Sequence, residues 1–433
     1  MSASVLVILS ILLLLGCICF FRIPIGMLLT ALGFLGYALL DGTDTAIAML
    51  GNEFWSTFSS TGLTVVPLFV FMGQVCFHSG LSGRLYHAIA SWIGHMRGGV
   101  AAATIAACGG FSAICGSNTA TAATMSVVSL PEMLKRGYHP TFAAGVVATG
   151  TTLGAVIPPS VVSIVLGIQT GLSIRKLFIG GIVPGLLLLG LFLLTTAWVG
   201  KHKPKLAPAG ECVPLPERIK ALPGLLEALV LFALVVGGLS AGVFTPTEAG
   251  AAGSVLALVI GILRRGLSFR KIARAMMETM NVSAMIFLLL AGAGCYGKFL
   301  AVSRTPFMVA EWVQSLHIAP FAVLCLIFLI YLIGGMIMDA LALLLITLPI
   351  FFPLIGQLGY DPLWFCLVLV VITTLGAITP PVGASAYVVA SMGKIPLGGV
   401  FRGTLLFIPA FLVCLGLMAA FPAIVLLLPN LVQ

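Results

Sequence analysis

Two pairs of stretches in this chain could bind a charged or polar guest inside an apolar setting. One pair is Cys115-Gly116-Ser117-Asn118-Thr119 with Gly154-Ala155-Val156-Ile157-Pro158-Pro159. The other is Met338-Asp339 with Gly376-Ala377-Ile378-Thr379-Pro380-Pro381. The first member of each pair reads as the tip of a helical hairpin. There the first arm ends in free carbonyls and the second begins with free amides, so a tip can hold a cation and attract an anion. The second member is a helix that cannot run straight, because proline lacks the amide donor and clashes with the preceding turn. Brought together, tip and break make a cage of hard oxygen donors, which suits an alkali cation. Ser117 or Asn118 can cap the second arm of its hairpin. Asp339 has two readings: a carboxylate in an apolar region marks a functional site, or it simply caps its helix.

Other residues that could do chemistry lead elsewhere. The six histidines (His78, His87, His95, His139, His202 and His317) have no metal-ligand partner at helical spacing and read as structural. Gly292-x-Gly294-x-x-Gly297-Lys298 imitates a dinucleotide or phosphate-binding loop. Phe299 stands where a magnesium-binding hydroxyl is needed and no strand precedes the glycines, so it is a decoy. Lys298, near a membrane end, reads as a snorkelling side chain. The ten cysteines sit mostly in apolar runs without ligand spacing and read as small core residues. An enzyme would need clustered carboxylates, histidines or metal ligands at membrane depth, whereas Asp339 is the one candidate. The chain is therefore read as a non-enzyme.

The elements that must position these residues follow from an internal duplication. With an offset of 222 and no gap, Pro131–Pro159 matches Pro353–Pro381 at 12 of 29 positions. Such a length means duplicated architecture. The offset also pairs Ser117 with Asp339 and Pro24 with Pro246. The first half spans 1–200, with apolar runs at 3–21, 24–40 and 61–79, a surface arm at 44–60, a hairpin at 98–134, a broken crossing at 140–170 and a last run at 177–199. The second half, 223–433, repeats the plan at 223–242, 246–263 and 281–300, with an arm at 264–280, a hairpin at 320–355, a broken crossing at 362–392 and a last run at 403–428. Residues 201–222 form a polar, proline-containing linker. The fold expected is thus all-α and membrane-embedded, with five crossings, a re-entrant hairpin and a broken helix in each repeat.

With 60% hydrophobic and 8% charged residues and a mean hydropathy of +1.21, the chain has too little polar surface for a water-soluble globule. Its net charge of +9 comes from short loops between apolar runs, not from a basic stripe, so nucleic acid is not an expected partner. Residues 4–21 lack a basic leader and a cleavage pattern and read as a retained helix. Because five crossings is odd, the second half enters from the opposite side, which makes the repeats inverted. Placing both termini outside puts 17 of the 21 lysines and arginines on the cytoplasmic side, leaving Arg175, Lys176, Lys298 and Arg304 outside.

Taken in order, Cys115-Gly116-Ser117-Asn118-Thr119-Ala120-Thr121, Pro131-Glu132-Met133-x-x-Arg136-Gly137-Tyr138, Phe244-Thr245-Pro246-Thr247-Glu248-Ala249-Gly250 and Met336-x-Met338-Asp339 resemble the large membrane subunit of tripartite ATP-independent periplasmic (TRAP) transporters. So do the two Gly-to-Pro-Pro stretches, and the likeness spans nearly the whole chain. The resemblance implies a sodium-driven, elevator-type secondary transporter of the ion transporter superfamily in a bacterial or archaeal inner membrane, where the outside termini of the charge count would be periplasmic. It also implies a small four-helix membrane subunit and a periplasmic binding protein that delivers an organic carboxylate such as a C4-dicarboxylate or sialic acid. By position, the family's first sodium site falls on Ser112, Cys115, Gly154, Ile157 and Pro159, and its second on Gly335, Gly376, Thr379 and Val382. Ser117, Asn118, Thr119, Asp339, Pro158, Pro380 and Pro381 then line the substrate cavity and hairpin tips. Cys115 stands where relatives often have Ser, which a carbonyl ligand tolerates and a hydroxyl ligand does not. A stand-alone sodium-coupled dicarboxylate carrier shares the hairpin logic, but Phe244–Gly250 argues against it; a channel would need a continuous pore.

Overall fold

The computed structural model describes residues 3–21, 23–210, 212–315 and 319–431, and it is all-helical. Arg22 and His317 lie outside the described residues. Among the described residues, nine helices are long and apolar enough to cross a membrane.

Proline and glycine set most of the boundaries. The first hairpin runs through Gly99–Cys115, turns at Gly116-Ser117, and returns through Asn118–Val128 and Leu130–Lys135. The second runs through Pro320–Ile337, turns at Met338-Asp339 and returns through Ala340–Gln357. At 18 residues each, the arms of the second hairpin can each cross a membrane by length and composition. The first Pro-Pro stretch divides its helix into Pro140–Thr151, Leu153–Val156 and Val161–Thr170; the second divides Pro362–Gly376 from Ala384–Gly393. Both Pro-Pro peptide bonds are cis. Neither break is a mere kink, since the chain leaves helical geometry for several residues.

Several elements differ from the sequence reading. The stretch 264–280 does not form a separate surface arm: Phe269–Val302 is one uninterrupted 34-residue helix, with no proline or glycine near Met280 to break it. In the first half Thr43–Phe58 does stop, at Ser59-Ser60. The last run ends early, Ile408–Ala420 breaking at Phe421-Pro422 before Ala423–Leu431. Helices Leu81–Ile93 and Thr305–Ser315 were not anticipated. The irregular part of the linker is shorter than 201–222, since Lys201 and His202 finish helix Ile174–His202 and Leu215 begins the next helix. It also docks: His139 N donates to Leu206 O, Gly210 N donates to Gly94 O, and Ala207 is fully buried.

The broken helix of the first half is the centre of the molecule, with 94% of its apolar window buried, against 28% for the outward arm Pro320–Ile337. Close approach of backbones replaces a hydrophobic driving force between helices. Helix Ile25–Asp41 packs on Phe269–Val302 through Gly26, Gly33 and Gly292, and a methyl on Gly33 would lie 2.6 Å from Tyr296 N. Pro140–Thr151 packs likewise on Leu397–Thr404, where Gly145 meets Gly403.

The contacts are also exchanged between halves. Ile25–Asp41 packs on Phe269–Val302, and Pro246–Leu263 packs on Val65–His78. Each broken helix rests its first segment on the hairpin of its own half. Its second segment crosses to the other: Val161–Thr170 meets Ala340–Gln357, and Ala384–Gly393 meets Asn118–Val128.

Candidate functional site

At the first tip, Gly116 has a φ of +64°, in the left-handed region that glycine enters without a Cβ clash. Its N–H donates to Ser112 O at 2.9 Å, ending the first arm, and its carbonyl accepts from Val161 N at 3.2 Å, fastening the tip to the far side of the break. A methyl at Gly116 would lie 2.7 Å from Pro159 O. Ser117 is the N-cap of the second arm, accepting from Ala120 N at 3.4 Å and bonded to Thr119 Oγ1 at 3.2 Å. Between the two capping candidates, the structure chooses Ser117. That leaves Asn118 free to face the break, where a methyl on Gly154 would sit 3.1 Å from Asn118 Oδ1 and 3.2 Å from Ser117 O.

This arrangement brings together Ser112, Cys115, Gly154 and Pro159 with Ile157. Pro158 and Pro159 sit four residues after Gly154 and Ala155, and having no N–H they leave those carbonyls without helical donors. Ser112 Oγ and Asn118 Oδ1 are buried with no hydrogen-bond partner among the described residues. Buried oxygens are rarely left so, and both are of the kind a hard cation would satisfy. The Cys115 thiol packs on Gly73 of helix Val65–His78, which leaves its carbonyl as the oxygen it can offer. Ile157 likewise buries its side chain, against Gly185 and Gly109, and can contribute only main chain.

The second tip is built on the same plan with different details. Asp339 is the N-cap of Ala340–Gln357, its Oδ2 accepting from Leu341 N at 3.1 Å, so the offset pair Ser117 and Asp339 have the same structural role. Its side chain is exposed beyond the cap. Gly335 and Gly376 touch backbone to backbone, a methyl on Gly376 falling 2.7 Å from Gly335 Cα. Met336 O accepts from both Val382 N and Gly383 N at 3.1 Å, locking the break to the end of the first arm. Here too Pro380 and Pro381 leave the carbonyls of Gly376 and Ala377 without helical donors. They are recaptured: Thr379 Oγ1 donates to Gly376 O at 3.0 Å and to Leu375 O at 3.1 Å, and Ser385 N donates to Ala377 O at 3.1 Å. The first break has Ile157 at the position of Thr379, so it has no hydroxyl to do this. The two breaks also differ in exposure: Pro158 and Pro159 are buried, whereas Pro380, Pro381 and Val382 are exposed.

Sequence reasoning missed a set of ionic contacts. Glu227, 9% exposed within helix Leu215–Phe232, accepts from Arg84 Nε and Nη2 at 3.0 and 2.8 Å on one oxygen and from Arg264 Nε at 2.7 Å on the other. Glu227 thus sits inside a membrane-length helix, whereas Asp339 caps one from just outside it; a lone Glu in an apolar run was the signal that could have found it. His78 is not isolated but pairs with Glu278 at 2.9 Å. Lys298 lies 3.6 Å from Glu53.

Residues 7–424 match the family model "Tripartite ATP-independent periplasmic transporter, DctM component". The chain is 34% identical to the C4-dicarboxylate TRAP transporter large permease protein DctM of Pseudomonas aeruginosa, over 90% of this chain and 91% of the relative. It is 31% identical to the sialic acid TRAP transporter large permease protein SiaM of Vibrio cholerae, over 95% and 96%. It is 30% identical to the ectoine/5-hydroxyectoine TRAP transporter large permease protein UehC of Ruegeria pomeroyi, over 100% and 99%. Among solved structures, the Alcanivorax borkumensis YdaH transporter superposes with a TM-score of 0.63 at 18% identity, covering 92% of this chain and 97% of that one, a likeness of fold.

Proposed function

Because this chain belongs to the DctM component family of tripartite ATP-independent periplasmic transporters, we propose that it carries a small organic carboxylate inward across a bacterial inner membrane, coupled to sodium. Its relatives are named for C4-dicarboxylates, sialic acid and ectoines, which supports that class of substrate. The observation that carries the sodium reading is the unsatisfied oxygen pair Ser112 Oγ and Asn118 Oδ1 beside the proline-freed carbonyls of the first break. Site one is then Ser112, Cys115, Gly154, Ile157 and Pro159; site two is Gly335, Gly376, Thr379 and Val382.

The exchange of broken-helix segments between hairpins supports a single moving body that holds both sites. The glycine-packed pair Ile25–Asp41 and Phe269–Val302 supports a separate static wall. On this reading the two halves are inverted repeats, the body moves as an elevator, and a small membrane subunit and a periplasmic binding protein complete the system.

The test is thermal unfolding of the purified protein in sodium against choline at equal ionic strength, followed by uptake in proteoliposomes with both partners. Sodium at 100 times its dissociation constant stabilises the folded state by about 2.7 kcal/mol. A sodium-specific rise in Tm with sodium-dependent uptake is the expected outcome. Uptake that persists in choline and collapses when a proton gradient is dissipated would replace sodium by protons.

A further inference from the structure

A cavity of about 440 Å3 is lined by none of the tip or break residues. Its walls come from four elements: Glu53 of helix Thr43–Phe58, Gln169 and Thr170 at the end of the first broken helix, the Ala293, Gly294, Gly297 and Lys298 face of helix Phe269–Val302, and the Leu348, Pro349, Phe352 and Pro353 face of the second hairpin. Leu348 to Pro353 lie 9 to 14 residues beyond Asp339, which at 1.5 Å per residue is about 14–21 Å from the tip. The cavity is thus separate from the tip and break cages. It also explains the glycine-rich stretch before Lys298. A methyl at Gly294 would fall 2.5 Å from Glu53 Oε2, so glycine there lets the carboxylate lie on the helix.

Lys298 is the one cation in this wall. It is 58% exposed, and its 3.6 Å separation from Glu53 Oε1 is too long for a hydrogen bond, so its ammonium hydrogens remain to be taken by a guest or by water. The Gln169 amide offers a further donor. Glu53, 20% exposed, is the one acid. It would repel a second carboxylate and accept from a hydroxyl or ammonium group of the same guest. We infer that this cavity is a docking site for monocarboxylates that also carry hydroxyl or ammonium groups, and that it disfavours dicarboxylates: carboxylate on Lys298 and Gln169, hydroxyl or ammonium on Glu53. The assignment rests on the reading of the chain as a carboxylate carrier. Under the charge rule that sets its orientation, all four wall segments lie on the outer face, where a delivered substrate arrives.

The test uses gluconate, a hydroxylated monocarboxylate, against succinate, a dicarboxylate without hydroxyls. A reporter cysteine is placed on the apolar wall by Phe352→Cys, and its modification by a small thiol reagent is followed by peptide mass spectrometry. Gluconate at four times its dissociation constant is expected to slow modification about fivefold by occupancy, and succinate to have little effect. Adding Lys298→Met should abolish protection, and adding Lys298→Arg should keep it, which separates a lost ligand from a damaged fold. Adding Glu53→Gln should let succinate protect as gluconate does. No protection by gluconate, equal protection by succinate in the parent, or protection that survives Lys298→Met would overturn the assignment. Sodium-dependent uptake by the unsubstituted protein is measured in parallel: if it is present while protection is absent, the docking site falls and the carrier stands.

Discussion

At the scale of residues, the two tips show that one position can serve structure and ligand chemistry together. Asp339 holds Leu341 N and exposes the rest of its carboxylate. Asp339→Asn keeps the capping oxygen and Asp339→Ala removes it, so only the alanine variant should lose about 1 kcal/mol in thermal unfolding. Equal unfolding of the two would show that the cap contributes nothing. If the charge also serves transport, both variants lose sodium-dependent uptake. Thr379→Val takes the hydroxyl from Gly376 O and Leu375 O, and a weaker sodium response of Tm is expected from it; an unchanged response would exclude Thr379 from site two. Glu227 holds two arginines from different helices. Glu227→Leu leaves both without their anion, but Arg84 and Arg264 stay 30% and 48% exposed, so water screens them and the loss in thermal unfolding should be about 1 kcal/mol; it should be partly recovered in the double variant with Arg84→Met.

At the scale of elements, glycine governs how closely helices approach and proline governs where they open. The Gly145 and Gly403 contact lets Pro140–Thr151 lie directly on Leu397–Thr404. Tyr138, Phe142 and Phe407 stack in series beside it, with ring centroids 6.4 and 6.3 Å apart. Gly145→Leu must separate these backbones, an overpacking that costs about 1–3 kcal/mol, and its expected result is a lowered Tm with the sodium response diminished because the break above it shifts. Gly190→Leu, where a side chain meets open space, is the matched control and should do neither. The breaks themselves were legible because a Pro-Pro pair removes two donors whatever surrounds it. The continuous Phe269–Val302 was not: an amphipathic stretch followed by an apolar one has the same composition whether the helix bends between them or runs on.

At the scale of the whole molecule, the exchange of segments between halves joins the two candidate cages. Ala384–Gly393 belongs to the second break and packs on the capped arm of the first hairpin, and Val161–Thr170 does the converse. On the proposed elevator reading, movement of one cage would carry the other. The basic loops predict the sidedness, and the docked linker gives a simple probe of it. A cysteine in place of exposed Lys203 should be labelled only after the membrane is opened. Labelling by an impermeant reagent in intact cells would invert the orientation, and with it the side on which the Lys298 cavity opens.

The sequence by itself determined that the chain is a membrane protein, to which family it belongs, where it duplicates itself and where its helices break. These follow from local chemistry: apolar length, the missing amide of proline, and an offset that can be counted. It also placed Ser117 and Asp339 in equivalent positions, which the structure shows as equivalent caps. Only the tertiary structure decided which oxygens remain unsatisfied, since Thr379 recaptures a carbonyl that Ile157 cannot. It alone brought Arg84, Glu227 and Arg264 together from three helices, and Glu53 to Lys298 across 245 residues of chain. Pairings of that kind depend on how helices cross, which in an apolar surround is settled by a few small residues spread over the whole sequence and not by any pattern within one element.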